Sequence, residues 1–113
     1  MEIKLNFDGF EGEVVLRVAS NIERLEVMEK LGMDLIKMGT QAKDDIAANI
    51  MTTKNIIQML KMSREYYVKI DLKRGEKKYK KFDDLNNDSA CQAILMECAT
   101  KCLMGLGEQT EKN

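Results

Sequence analysis

Between residues 2 and 18 apolar and polar positions alternate with a period of two. Ile3, Leu5 and Phe7 are separated by Lys4 and Asn6, and Val14, Leu16 and Val18 by Val15 and Arg17. That alternation is the pattern of a half-buried strand pair. Asp8-Gly9 lies between the two runs, and Asp-Gly suits a tight turn whose central residues both need positive φ. A two-residue turn at Asp8-Gly9 sets Ile3 opposite Val14 and Lys4 opposite Glu13, whereas a four-residue loop sets Leu5 opposite Val14. Both keep one face apolar, so alternation alone leaves the register open. A lone hairpin is marginal in water. It must lie on helices or pair its edge with another strand.

From Ser20 the period becomes helical. Ser20-Asn21-Ile22-Glu23 reads as a capping box. Ile22, Leu25, Met28 and Leu31 form the apolar face that follows, and Gly32 falls at the C′ position. Met33 to Met38 adds a further turn, ended by Gly39. Thr40 then caps a long central helix running to about Ile70, uninterrupted by Gly or Pro, with Asp44 and Asp45 near its positive end. This stretch carries two apolar rows. Ile46, Ile50, Ile57, Leu60 and Tyr67 form the first, with Thr53 filling its gap, and are assigned to the core. Met51, Met59, Met62 and Tyr66 form the second, offset beside it. The second row is the candidate protein-binding face, for a client or a neighbouring copy. The competing placement is burial between the first and last helices.

Residues 68–82 are ambiguous. Val68, Ile70 and Leu72 alternate as a strand does, yet they also fit the end of the helix. The expectation taken forward is helix to about Ile70 and then a loop, with Lys73-Arg74-Gly75-Glu76 turning in either case. Phe82 and Leu85 flank Asp83-Asp84 and pin the loop to the core. Asp88 or Asn87 caps the last helix. Its buried face is Cys91, Ile94, Leu95, Cys98, Cys102 and Leu106, and Gly105 and Gly107 end it. The expected whole is a single α+β domain over residues 1–113, predominantly helical. An N-terminal β-hairpin (2–18) packs on three main helices within 20–107, and 108–113 form a polar tail.

Composition narrows the function. The 113 residues carry a net charge of -1, which does not fit a general nucleic-acid binder. No apolar run approaches the roughly 20 residues of a membrane span, and Met1-Glu2-Ile3-Lys4 has no signal-peptide core. Three Cys without framework spacing suit a reducing compartment, so a cytoplasmic location is expected. The chain has no His, which removes the usual general base, the usual nucleophile pairs and most zinc sites. Cys98 and Cys102 lie one turn apart, but a closed zinc site needs a fourth ligand. The same positions complete an apolar stripe. Asp44-Asp45 and Asp83-Asp84 are adjacent pairs whose side chains point different ways. No enzyme activity, metal or cofactor is therefore expected. Nine Met is a high count, suited to filling core gaps or to an adaptable binding surface. One competing chemistry lies in Lys69, Lys73, Arg74, Lys77, Lys78, Lys80 and Lys81, with Tyr66, Tyr67, Tyr79 and Phe82 interleaved. Basic residues can follow a phosphate backbone while rings stack on bases, so a small nucleic-acid-binding or regulatory protein using 69–81 is the alternative. Asp71, Glu76, Asp83 and Asp84 dilute that patch.

The order of segments carries a resemblance. Ile3-Lys4-Leu5-Asn6 and Asp8-Gly9-Phe10-Glu11-Gly12-Glu13 open the chain. Ile22-Glu23-Arg24-Leu25 and Leu31-Gly32-Met33-Asp34 follow, then Val68-Lys69-Ile70-Asp71-Leu72-Lys73 and Lys81-Phe82-Asp83-Asp84-Leu85. The last helix ends in Met104-Gly105-Leu106-Gly107. Over most of its length the chain resembles the tail assembly chaperones of long-tailed bacteriophages, through soft motifs of pattern and turn. The resemblance implies a small, helical, non-enzymatic protein of the host cytoplasm, absent from the mature virion. Its partner would be the phage tape measure protein, kept soluble during tail assembly, and self-association would accompany that role. A frameshifted longer form, where one exists, recruits the tail tube protein. The tail here departs from the family in placing Glu108, where Lys is frequent, after Gly-Leu-Gly.

Overall fold

The computed structural model describes residues 1–32 and 52–105. Strands β1 (Glu2–Phe7) and β2 (Phe10–Leu16) form the expected hairpin. Asp8 and Gly9 both take positive φ, 49° and 86°, as a two-residue turn of matching twist requires. Of the two registers the pattern allowed, the hairpin takes the one that places Ile3 opposite Val14 and Lys4 opposite Glu13.

Helix α1 (Asn21–Lys30) starts at the capping box. Ser20 Oγ accepts from the Glu23 amide at 3.2 Å, and a Glu23 carboxylate oxygen accepts from the Ser20 amide at 2.9 Å. Gly32, at φ 70°, ends it. The face differs from the expected one. Val27 and Leu31 are buried, whereas Ile22 is 70% exposed and Leu25 is also outward.

The central helix is much shorter than expected. Helix α2 runs Thr53–Ser63, and Thr52 at its start is extended, with its hydroxyl accepting from the Asn55 amide at 3.3 Å. A single helix from Thr40 to Ile70 is excluded by that cap. Thr40, Asp44, Asp45, Ile46, Ile50 and Met51 lie outside the described residues. At the other end a 3₁₀ turn, Arg64–Tyr66, tightens the chain, and Tyr67 then enters strand β3 (Tyr67–Arg74). The expected helix to Ile70 and following loop are thus a strand, followed by a turn at Gly75-Glu76 and strand β4 (Lys77–Tyr79). The alternation of Ile70 and Leu72 prevails because the open edge of β2 is there to pair with it. Val14 lies opposite Ile70 and Gly12 opposite Leu72. Val15 faces Lys69 while Leu16 faces Tyr67, so Val68 is the extra residue of a bulge and is 66% exposed.

The result is an α+β fold with a four-stranded antiparallel sheet in the order β1-β2-β3-β4. Helix α3 (Phe82–Asn86) stands where a pinned loop was expected. The Asp84 carboxylate accepts from the Lys80 and Lys81 amides, and Leu85 is buried. Asp88 caps the 3₁₀ turn Ser89–Cys91 that leads into helix α4 (Gln92–Met104). Gly105 ends α4 in the left-handed conformation. Leu106, Gly107 and the tail 108–113 lie outside the described residues.

One core joins sheet and helices. Ile3, Leu5, Phe10, Val14, Leu16, Ile70, Leu72 and Tyr79 cover the inner face of the sheet, and Ile94, Leu95, Cys98, Ala99, Cys102 and Leu103 meet them from α4. The Ala19 amide donates to the Cys102 carbonyl at 2.8 Å, fastening the link before α1 to the end of α4. Among the described residues no helix is long and apolar enough to cross a membrane.

Candidate protein-binding face

Helix α2 carries the described part of the methionine row, and its orientation follows from which side α4 and α1 occupy. Met59 is 2% exposed and belongs to the core. Tyr66, just past the helix, is also buried, with the Arg17 guanidinium 4.0 Å above its ring. Met62 is half-buried against the same core and borders a cleft with Glu23, Glu26, Val27, Lys30 and Glu65. Met51 lies outside the described residues. Met59 and Tyr66 therefore serve packing in this fold and are not free for a partner. The row assigned to the core is split: Ile57 is 47% exposed, whereas Leu60 and Tyr67 are half-buried and pack against the core.

An apolar crevice does exist on α2, between the two expected rows, taking Met59 from one and Leu60 from the other. Ile56, Met59 and Leu60 line one side of a crevice, and Met96, Ala99 and Thr100 of α4 line the other. Thr100 spends its hydroxyl on the Met96 and Glu97 carbonyls of its own helix, at 3.1 and 3.0 Å, so it offers no free donor to the crevice. Exposed Ile57 lies one helical turn before Leu60. Ile56-Met59-Leu60 has the i, i+3, i+4 spacing that marks a helix face, and that signal was available in the sequence. Met96 sits one position off the cysteine stripe, so the spacing of that stripe does not mark it.

The basic run is divided by the strand pleat and mostly neutralised. Lys69 pairs with Glu13, Lys73 with Glu11, Lys77 with Asp88, and Lys80 with Asp71. The Arg74 guanidinium lies 5.1 Å from the centre of the Phe10 ring. Tyr66 and Tyr79 are buried, and Tyr67 packs edge-on against Phe82 at 5.2 Å. The rings that base stacking needs are turned inward.

The thiols lie in the core. Cys91, Cys98 and Cys102 are free and buried. Burial pushes the Cys98 and Cys102 thiols up to about 12. The Tyr67 hydroxyl lies beside Cys98 and has no hydrogen-bond partner among the described residues, and burial raises its pKa as well. Among the described residues no three His, Cys, Asp or Glu side chains are grouped to hold a metal ion. Asp88 is a heavily bonded carboxylate. It accepts from the Tyr79 hydroxyl at 2.6 Å, from Lys77 at 2.9 Å and from the Ala90 amide at 3.0 Å, and these bonds hold it well below the usual carboxylate range. Its role is to hold β4 against the start of α4.

Comparison with protein-family models, with curated proteins and with solved structures returns no match.

Proposed function

We propose that this chain is a tail assembly chaperone of a long-tailed bacteriophage. It binds the tape measure protein and keeps it soluble in the host cytoplasm while the tail assembles, without enzymatic chemistry, and is absent from the mature virion. The observation that carries the reading is the apolar crevice between α2 and α4, which opens at half-buried Ile56, Leu60 and Met96, with exposed Ile57 one helical turn before Leu60. A holdase for a long apolar client needs adaptable apolar surface and nothing catalytic, and thioethers repack against varied sequences at little cost. The segment order from the hairpin to Gly107 supports the same reading. Helices α1, α2 and α4 supply the helical body for it, and the tail tube protein is a further partner of any longer form. The alternative, nucleic-acid binding through residues 69–81, loses support from the ion pairs and inward rings described above.

The test is co-expression with an apolar segment of the tape measure protein encoded beside this gene. The wild-type chain should bring that segment into the soluble fraction and co-purify with it. Ile57→Glu combined with Met96→Glu should abolish both effects. A client equally insoluble with and without the chain, or a gene with no such neighbour, would refute the proposal.

A further inference from the structure

Strand β1 is an outer strand of the sheet, paired on one side with β2. Met1 and Leu16 exchange both backbone bonds, at 2.9 and 2.8 Å. In an antiparallel ladder such doubly bonded pairs recur at every second residue. Ile3, Leu5 and Phe7 therefore direct their N–H and C=O groups toward β2, while Glu2, Lys4 and Asn6 direct theirs outward along the edge. Among the described residues no backbone group bonds to that edge. An edge strand of this length with unpaired groups is a template for another strand.

We propose that the occupant is β1 of a second copy of this chain, antiparallel about a two-fold axis at Ile3. Glu2 of each copy then lies opposite Lys4 of the other. The choice follows from charge and from which backbone groups point outward. A two-fold axis at Lys4 puts two like charges directly opposite each other, which destabilises a strand pair. An axis at Leu5 sets Lys4 against Asn6 and leaves Glu2 without a partner. The axis at Ile3 gives two rungs of opposite charge, each on residues whose backbone groups face outward. It also continues the alternation already present in each sheet, because Lys4 would stand between Glu13 of its own β2 and Glu2 of the second copy. On the inner face Ile3 meets Ile3, so the seam is apolar beneath and ion-paired above. The arrangement is isologous and closed. It uses no residue of the α2–α4 crevice, so it stands or falls separately from the chaperone reading.

Analytical ultracentrifugation over a concentration series tests it, on wild type, Glu2→Lys, Lys4→Glu and the double exchange. Both side chains are exposed, and thermal melting reports whether each variant is folded. Wild type should reach twice the protomer mass. Each single variant turns two attractive rungs repulsive and should weaken the dimer by about tenfold or more. The double exchange should restore wild-type association to within about threefold. Lys4→Glu faces Glu13 within its own sheet, so if it unfolds, Glu2→Lys, which faces Val15, decides alone. A wild type that stays monomeric up to its solubility limit overturns the proposal. So does a dimer indifferent to Glu2→Lys, or a double exchange that recovers nothing.

Discussion

Gly12 shows how one residue can be constrained from far along the chain. It lies within β2 between Leu5 and Leu72, with φ 133°, and a Cβ placed there would sit 2.0 Å from the Asp71 carbonyl oxygen. That atom belongs to backbone, so it cannot simply swing aside, and the φ itself strains any L-residue. Gly12→Ala should lose more than about 3 kcal/mol in urea unfolding or fail to fold. Tyr67→Phe runs in the opposite direction. It removes a buried hydroxyl that has no hydrogen-bond partner among the described residues, and should leave stability unchanged or raise it by about 1 kcal/mol. A melting temperature lowered by several degrees would show that the hydroxyl has a partner. Asp8-Gly9, Ser20 with Glu23, and Asp88 were legible in the sequence because a turn or cap is settled within a few residues. Gly12 gives no such local signal, because the strand that constrains it lies near Asp71, far along the chain.

At the scale of elements the same division holds. Helix α1 and helix α4 were legible from their caps and spacing, while β3 was not. The run from Tyr67 to Arg74 has no local feature that forbids helix, and its strand state depends on β2 being beside it. The start of α2 at Thr52 was hidden for a related reason: a capping Thr looks like any other Thr in an unbroken apolar row. Thr52→Ala should cost about 1 kcal/mol in equilibrium unfolding. The element junctions also carry a pH dependence. Hydrogen bonding from Arg17, then from the Ser20 amide, lowers Glu23 from 4.5 to about 2. Asp88 is lowered by the Tyr79 hydroxyl, Lys77 and the Ala90 amide. Both carboxyls have depressed values in the folded state, so the unfolded chain takes up protons first. The stability they add is present above their ordinary values and is lost as pH falls through the folded ones. The melting temperature should therefore decline as pH is lowered from 4.5 toward 2. Asp88→Asn should flatten part of that decline; an identical acid limb in the variant would remove Asp88 from the account.

For the whole molecule, the issue is which side of α2 is inside. A helix with apolar residues on two sides can be rotated by one row without violating its pattern, so the sequence was bound to leave the choice to tertiary packing. Helix α4 and the sheet settle it by taking Met59 and Tyr66 inward and leaving Ile57 outside. Two matched substitutions on the same helix, two positions apart, separate core from surface. Met59→Glu buries a carboxylate beside Ala99 and Met96, with no cation among the described residues that line the crevice. Its expected result is a chain unfolded or molten at neutral pH, with helix signal lost in circular dichroism. Ile57→Glu places the same charge in water. It should melt within about 0.5 kcal/mol of wild type, and its effect should appear only when a client is present. A folded Met59→Glu would put that methionine back on the surface and restore the row of Met51, Met59, Met62 and Tyr66 as the binding face. An unfolded Ile57→Glu would mean that this side of α2 is covered, and the crevice next to it would then be interior rather than a place for a partner.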